Sequence, residues 1–171
     1  MTVTLRPATE ADLMGVGALH QRSRVAAYSS FLPAEALAEP TPEAMGHYWT
    51  ERWRWERDDH RLIVAERAGT LVGFSHLGPD DEDDPATGLL NAIHLDPAEQ
   101  GRGVGRTLMM DALDAMRERG WRRAVLWVLA GNVHARAFYE RGGWTPTGAE
   151  REELIGTAPT LQLRYSRRLD V

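Results

Sequence analysis

The chain of 171 residues has no cysteine and no lysine; all 20 of its basic residues are arginine. Without cysteine there is no disulfide, no thiolate nucleophile and no cysteine-ligated metal, so a covalent acyl-cysteine mechanism is excluded. Without lysine there is no nucleoside-triphosphate loop of the G-x-x-x-x-G-K-[ST] type, in which lysine reaches the outer phosphates. The lysine gap reads more simply as codon bias than as protection from self-acylation. No apolar run approaches the ~20 residues of a membrane span, and the opening MTVTLRPATEADL lacks the apolar centre of a signal peptide. The expectation is therefore a cytoplasmic protein with no membrane partner. A formal net charge of -5 supplies no strong positive field for nucleic acid. The length suits one domain, 1–171, with a single core. No metal-ligand spacing is evident; the acidic run Asp80 to Asp84 lacks the glycine and terminal glutamate of a calcium loop.

What is present centres on Leu89 to Gly105, LLNAIHLDPAEQGRGVG. A short apolar strand ends at Asp96-Pro97, a glycine-rich turn follows, and the apolar spacing of Leu108, Met109, Ala112, Leu113 and Met116 then gives a helix with one buried face. Glycine tolerates positive φ and holds no side chain between backbone and ligand. The helix N-terminus adds roughly half a positive charge, so turn and helix together form an anion seat. Gly101 and Gly103 match the first pair of the dinucleotide fingerprint, but Arg106 stands where its third glycine belongs.

The rest of the chain reads as elements around that unit. Thr2 to Leu5 alternates as an edge strand, and Thr9 to Asp12 opens a first helix that runs to about Tyr28. Thr41-Pro42 starts a second helix, on which Trp49 and Trp53 bury together while Tyr48 and Trp55 fall off that stripe. Arg61 to Arg67 and Thr70 to Leu77 form a hairpin around Ala68-Gly69. Asp80 to Asp84 reads as a solvated tip, with attraction of a cationic amine as its functional alternative. Arg123 to Ala130 is a strand apolar on both faces, Val133 to Arg141 a helix, and Trp144 to Gly148 with Thr160 to Arg167 a terminal pair.

Two stretches carry a family resemblance. The turn Gln100-Gly101-Arg102-Gly103-Val104-Gly105, of spacing Q-x-x-G-x-G after a strand ending in Asp-Pro, resembles the acyl-coenzyme A turn of the GNAT superfamily of N-acyltransferases. Asn132 to Trp144 resembles that family's N-x-x-A-x-x-[FL]-Y-x-x-x-G-[FW] segment. The match is close from Leu89 to Trp144 and looser at Arg6 to Asp12 and Ala26 to Pro33. It implies an α/β (α+β) fold: a mixed, mostly antiparallel central sheet flanked by helices, in the order β-α-α-β-β-β-α-β-α-β-β.

The resemblance also implies a reaction, transfer of an acetyl group from acetyl-CoA to a primary amine of a small molecule by direct attack in a ternary complex, with no metal. The diphosphate would lie on the amides of Gly101 to Arg106, with charge from Arg102 and Arg106 nearby. The pantetheine arm would pair with the main chain at Ile93 and Leu95, and the Leu95 amide would face the thioester oxygen. Tyr139, seven residues after Asn132, matches the family's general acid; its plainer reading is a packing tyrosine. Asn132 is either a coenzyme contact or a simple helix cap. Tyr28 and Phe31 border the acceptor site or merely pack, and Asn91 can hydrogen-bond an acceptor without taking its proton.

The family's usual basic carboxylates are missing, because Leu89 and Trp127 occupy their places. That leaves His94, His76 or solvent to receive the amine's proton. Strand alternation would turn His94 away from a groove shared by Asn91 and Ile93. The alternatives are acetylation of a protein or peptide amino terminus, and a non-catalytic module that senses acyl-coenzyme A. Assembly is open, a homodimer included.

Overall fold

The computed structural model describes residues 2–170. Seven strands form one sheet in the order β1-β2-β3-β4-β5-β7-β6. The strands are β1 (Thr4–Pro7), β2 (Arg61–Arg67), β3 (Thr70–Pro79), β4 (Thr87–Leu95), β5 (Arg123–Leu129), β6 (Thr145–Ile155) and β7 (Ala158–Arg168). Every neighbouring pair is antiparallel except β4 with β5. The helices are α1 (Leu13–Tyr28), α2 (Ala34–Leu37), α3 (Pro42–Glu56), α4 (Val104–Glu118) and α5 (Val133–Arg141). The expected order therefore holds, with the four-residue α2 added between the first two expected helices.

Helices α1 and α3 cover one face, where Leu13, Val16 and Leu19 meet Met45, Trp49, Leu62 and Phe74. Their axes come unusually close because Gly17 lies against Gly46: a Cβ on Gly17 would stand 2.2 Å from the Gly46 nitrogen. Thr41 caps α3 by accepting the Ala44 amide at 3.1 Å, with Pro42 just inside the end. As expected, Trp49 is buried, Trp53 packs beside it, and Tyr48 and Trp55 are exposed. The opposite face carries α4, whose Leu108, Met109, Leu113 and Met116 pack on β2, β3 and β5.

Two expectations need correction. Strand β7 matches Thr160 to Arg167 closely, but β6 is much longer than Trp144 to Gly148, because it is an outer strand exposed along almost its whole length and so shows no buried alternation to read. The acidic run is a solvated tip from Asp81 to Asp84, as expected, but its first residue is not. Asp80 and Arg164 are both buried and pair at 2.8 Å, and Arg164 also holds Asp81 at 3.2 Å and Glu82 at 3.3 Å. An arginine more than eighty residues away in sequence thus anchors the start of the run, which local composition does not anticipate.

Candidate functional site

Strands β4 and β5 pair only at Thr87/Arg123, Gly88/Ala124 and Leu89/Val125, although β4 runs on to Leu95 and β5 to Leu129. Beyond Leu89 the two strands part. Asp96 N–H donates to the Val72 carbonyl at 2.9 Å, and Gly73 faces Leu95 while Ser75 faces Ile93. In an antiparallel ladder bonded and unbonded pairs alternate. His94 and Ala92 therefore turn their main-chain groups toward β3, whereas Ile93 and Leu95 turn theirs into the gap beside β5. A cavity of about 660 Å³ occupies this gap and the space between α1, α3, α5 and the β6–β7 hairpin.

At one end of the gap stands the glycine turn. Gly101 and Gly103 adopt φ of 75° and 85°, and a Cβ at either would meet nothing within 4 Å, so it is conformation and not space that calls for glycine. Gly103 is the N-cap of α4, whose first-turn amides at Val104, Gly105 and Arg106 lack intrahelical acceptors. The Arg102 amide is different, since it donates back to the Glu99 carbonyl at 3.3 Å. Buried Glu99 fastens the turn to the sheet by pairing with Arg67 at 3.1 Å, and it holds the Arg102 side chain at 3.4 Å. Arg106 is exposed and has no ion pair among the described residues. Gln100 reaches across to α5, its Oε1 lying 3.1 Å from His134 Nε2.

On the β5 side, Asn132 Oδ1 accepts the Ala135 amide at 3.2 Å and caps α5, the simpler of its two readings; the residue also lines the cavity. Tyr139 lines it from α5, packed among Phe138, Trp144 and Tyr165. Its hydroxyl has no hydrogen-bond partner among the described residues. Burial, and then the nearby Tyr28, raise its pKa well above the usual phenol value. Helix α5 is braced behind it, with Arg136 Nε donating to Tyr165 Oη at 3.1 Å and that hydroxyl donating to Glu140 at 2.8 Å.

On the α1 side, a β-bulge changes the expected orientation. The register shifts so that Leu90 faces Leu77 and Ala92 faces His76, leaving Asn91 without a partner on β3. Alternation is interrupted at Asn91 only; Ile93 and His94 pair with consecutive residues of β3 and still face opposite sides of the sheet. Ile93 packs under α4, whereas the His94 ring lies tilted against His20, 4.2 Å between centroids, with Nδ1 3.0 Å from Ser23 Oγ. All three of Asn91, Ile93 and His94 line the cavity, and Asn91 Nδ2 is buried without a partner. Burial first and then Arg24 depress His94 to about 4, and burial with His94 depresses His20 to about 2. Trp49 Nε1 donates to His20 Nδ1 at 2.9 Å, which puts any proton of neutral His20 on Nε2.

Tyr28 lines the cavity; Phe31 does not, and its ring lies over Gly131, where a Cβ would approach within 2.6 Å. His76 is buried against Glu56 and His60 on the far side of Trp49 and lines a separate pocket. Sequence reasoning missed Arg24, Arg52 and Glu153, which come to the cavity from α1, α3 and β6. No motif marks any of the three.

The chain matches the Acetyltransferase (GNAT) family over residues 27–144. It is 45% identical over 91 residues to a mycothiol acetyltransferase of Beutenbergia cavernae, covering 53% of this chain and 30% of that protein. The chain spans less than half the length of the curated relatives it matches. Among solved structures, PaiA N-acetyltransferase of Thermoplasma acidophilum in complex with coenzyme A superposes with a TM-score of 0.80 at 18% identity, covering 98% of this chain and 99% of that one. YncA of Salmonella typhimurium with its cofactor acetyl-CoA gives 0.72 at 19% identity, over 100% and 96%. Matched across most of its length, through both the glycine turn and the Asn132 to Trp144 segment, the chain belongs to the acetyltransferase (GNAT) family.

Proposed function

We propose that this protein transfers an acetyl group from acetyl-CoA to the primary amine of a small molecule, both substrates being held at once. The observation that carries the reading is the parting of β4 from β5, which leaves the main-chain groups of Ile93 and Leu95 aimed into a cavity that Tyr139 also lines. The residues present suit coenzyme A. Unclaimed amides at Val104, Gly105 and Arg106 suit a diphosphate, Arg106 adds charge, and the strand edge suits an amide-bearing arm.

Bound there, acetyl-CoA would supply the activated acyl group. The Leu95 amide would donate to the carbonyl oxygen as negative charge gathers on it, a contribution of several kcal/mol where water is excluded. As the C–N bond forms and the C–S bond breaks, Tyr139 gives its hydroxyl proton to the departing sulfur. Its raised pKa keeps that proton in place until it is needed. His94 takes the proton the amine sheds. Depressed to about 4, it is neutral and able to accept across the physiological range, although weak as a base until the attacking nitrogen has become acidic. Exchange with solvent resets both groups.

Coenzyme thiol release with a broad amine panel, followed by mass spectrometry of the products, tests the reading. The expected result is amine-dependent release with an N-acetylated product. Coenzyme binding without release for any amine would overturn it in favour of a sensing module.

A further inference from the structure

Three arginines reach the cavity, and they differ in how their charge is met. Arg52 is paired with Glu56 at 2.9 Å and Arg151 with Asp81 at 3.5 Å. Arg24 has no carboxylate partner among the described residues. Its Nη1 donates to two neutral acceptors, the Gln21 side-chain oxygen at 3.3 Å and the Glu39 carbonyl at 3.2 Å, while Nε and Nη2 make no hydrogen bond among the described residues. It is half-buried, on the same wall as His94 and Tyr28. A guanidinium held partly out of water with three N–H groups unmatched by protein is a ready seat for an anion, and its planar fork matches a carboxylate.

A second charge lies nearby. Glu153 lines the same cavity from β6, its carboxylate makes no ion pair among the described residues, and Tyr28 senses Arg24 and Glu153 with opposite sign. Tyr28 thus stands near one cation and one anion that are unpaired among the described residues, in a cavity whose other two arginines are paired.

We infer that the acceptor is an amino acid or a closely related amino carboxylate, its carboxylate seated on Arg24 and its amino group drawn in on the side of Glu153. This rests on the acetyl-transfer reading and narrows it, since the cavity then selects by two opposite charges rather than by shape alone. Seating an anion on Arg24 also shields His94 from a positive neighbour, so substrate binding makes His94 a better proton acceptor at the moment it is required.

The test uses matched pairs: each of the common amino acids, its carboxamide and its decarboxylated amine, assayed with the full chain and acetyl-CoA. The carboxylate member should show kcat/KM at least about tenfold above the other two, a discrimination worth about 1.4 kcal/mol. Arg24→Gln should collapse that ratio toward one and leave KM for acetyl-CoA within about twofold, with Arg24→Lys keeping part of the preference. Glu153→Gln should weaken all three members alike. Equal or better use of the amide or amine overturns the assignment, as does an Arg24→Gln effect falling on acetyl-CoA instead. If no amine is turned over, the transfer reading fails separately, and calorimetry on the coenzyme-saturated protein decides this one. Binding of amino acids that Arg24→Gln abolishes upholds it; binding indifferent to the carboxylate ends it. Circular dichroism of each variant guards against misfolding.

Discussion

The two halves of the cavity are built from different material. The half beside α4 is made largely of main chain: strand groups exposed where β4 leaves β5 and Gly105 in the first turn of the helix, with the two glycines held at positive φ just outside it. The half beside α1 and the β6–β7 hairpin is made of side chains, Arg24, Tyr28, His94 and Glu153, brought together from segments more than a hundred residues apart. A main-chain site constrains backbone conformation and spacing, and so leaves a compact motif. A side-chain site constrains only which groups arrive, so it can recruit from anywhere and be rebuilt for a new acceptor while the first half stays as it was.

That contrast can be broken experimentally, and Tyr139 gives the largest expected effect. Tyr139→Phe should lower kcat about a hundredfold while coenzyme affinity, measured by calorimetry, stays near that of the parent; equal kcat in the two proteins would return Tyr139 to a packing role. Gly103→Val comes next. Forcing a β-branched residue to the observed φ of 85° costs about 1–2 kcal/mol, so KM for acetyl-CoA should rise about tenfold with the acceptor KM nearly unchanged. A parallel rise in both would show that the halves are not separable.

Acid should act first through three buried imidazoles, His20 and His94 in the acceptor half and His76 beyond Trp49. His20, His76 and His94 are depressed to about 2, 3 and 4 by burial, against about 6.5 in the unfolded chain. Between those values the unfolded chain binds more protons, so stability is complete above about pH 6.5 and is lost progressively as pH falls toward 4. Asp12, lowered to about 2 chiefly by its hydrogen bonds from Arg6, adds its own loss only below the ordinary carboxylate range. Melting temperatures from pH 8 to pH 4 should therefore be level and then decline from about 6.5; a level profile down to pH 4.5 would contradict the buried neutral imidazoles. The smallest effect belongs to Asn132→Ala, which removes the α5 cap and should cost about 1 kcal/mol in a denaturant melt, with a change in coenzyme affinity only if the side chain also touches that ligand.

Much of this was open to reading along the chain, for reasons that differ by element. Helices α3 and α4 announce themselves through caps and a one-sided apolar stripe, and β5 through an unbroken apolar run, because burial of a regular element leaves a period. Strand β6 escapes beyond Gly148 because an exposed outer strand needs no such period. The acidic loop is legible as a solvated tip, but the burial of Asp80 is not, because its partner Arg164 is remote. His94 reaches the cavity although Ile93 faces the other way, because the cavity opens where β4 and β5 part and takes residues from both faces of the sheet.

The residues by themselves determined the order of elements, the glycine turn ahead of α4 and the position of Tyr139, since each of these is a demand on local backbone or on short-range spacing. Only the folded chain decided that β4 and β5 part after Leu89, that Asn91 bulges, that Phe31 packs away from the cavity, and that Arg24 and Glu153 stand unpaired around Tyr28. Those outcomes depend on which distant groups meet, and no local pattern records a meeting between side chains far apart in sequence.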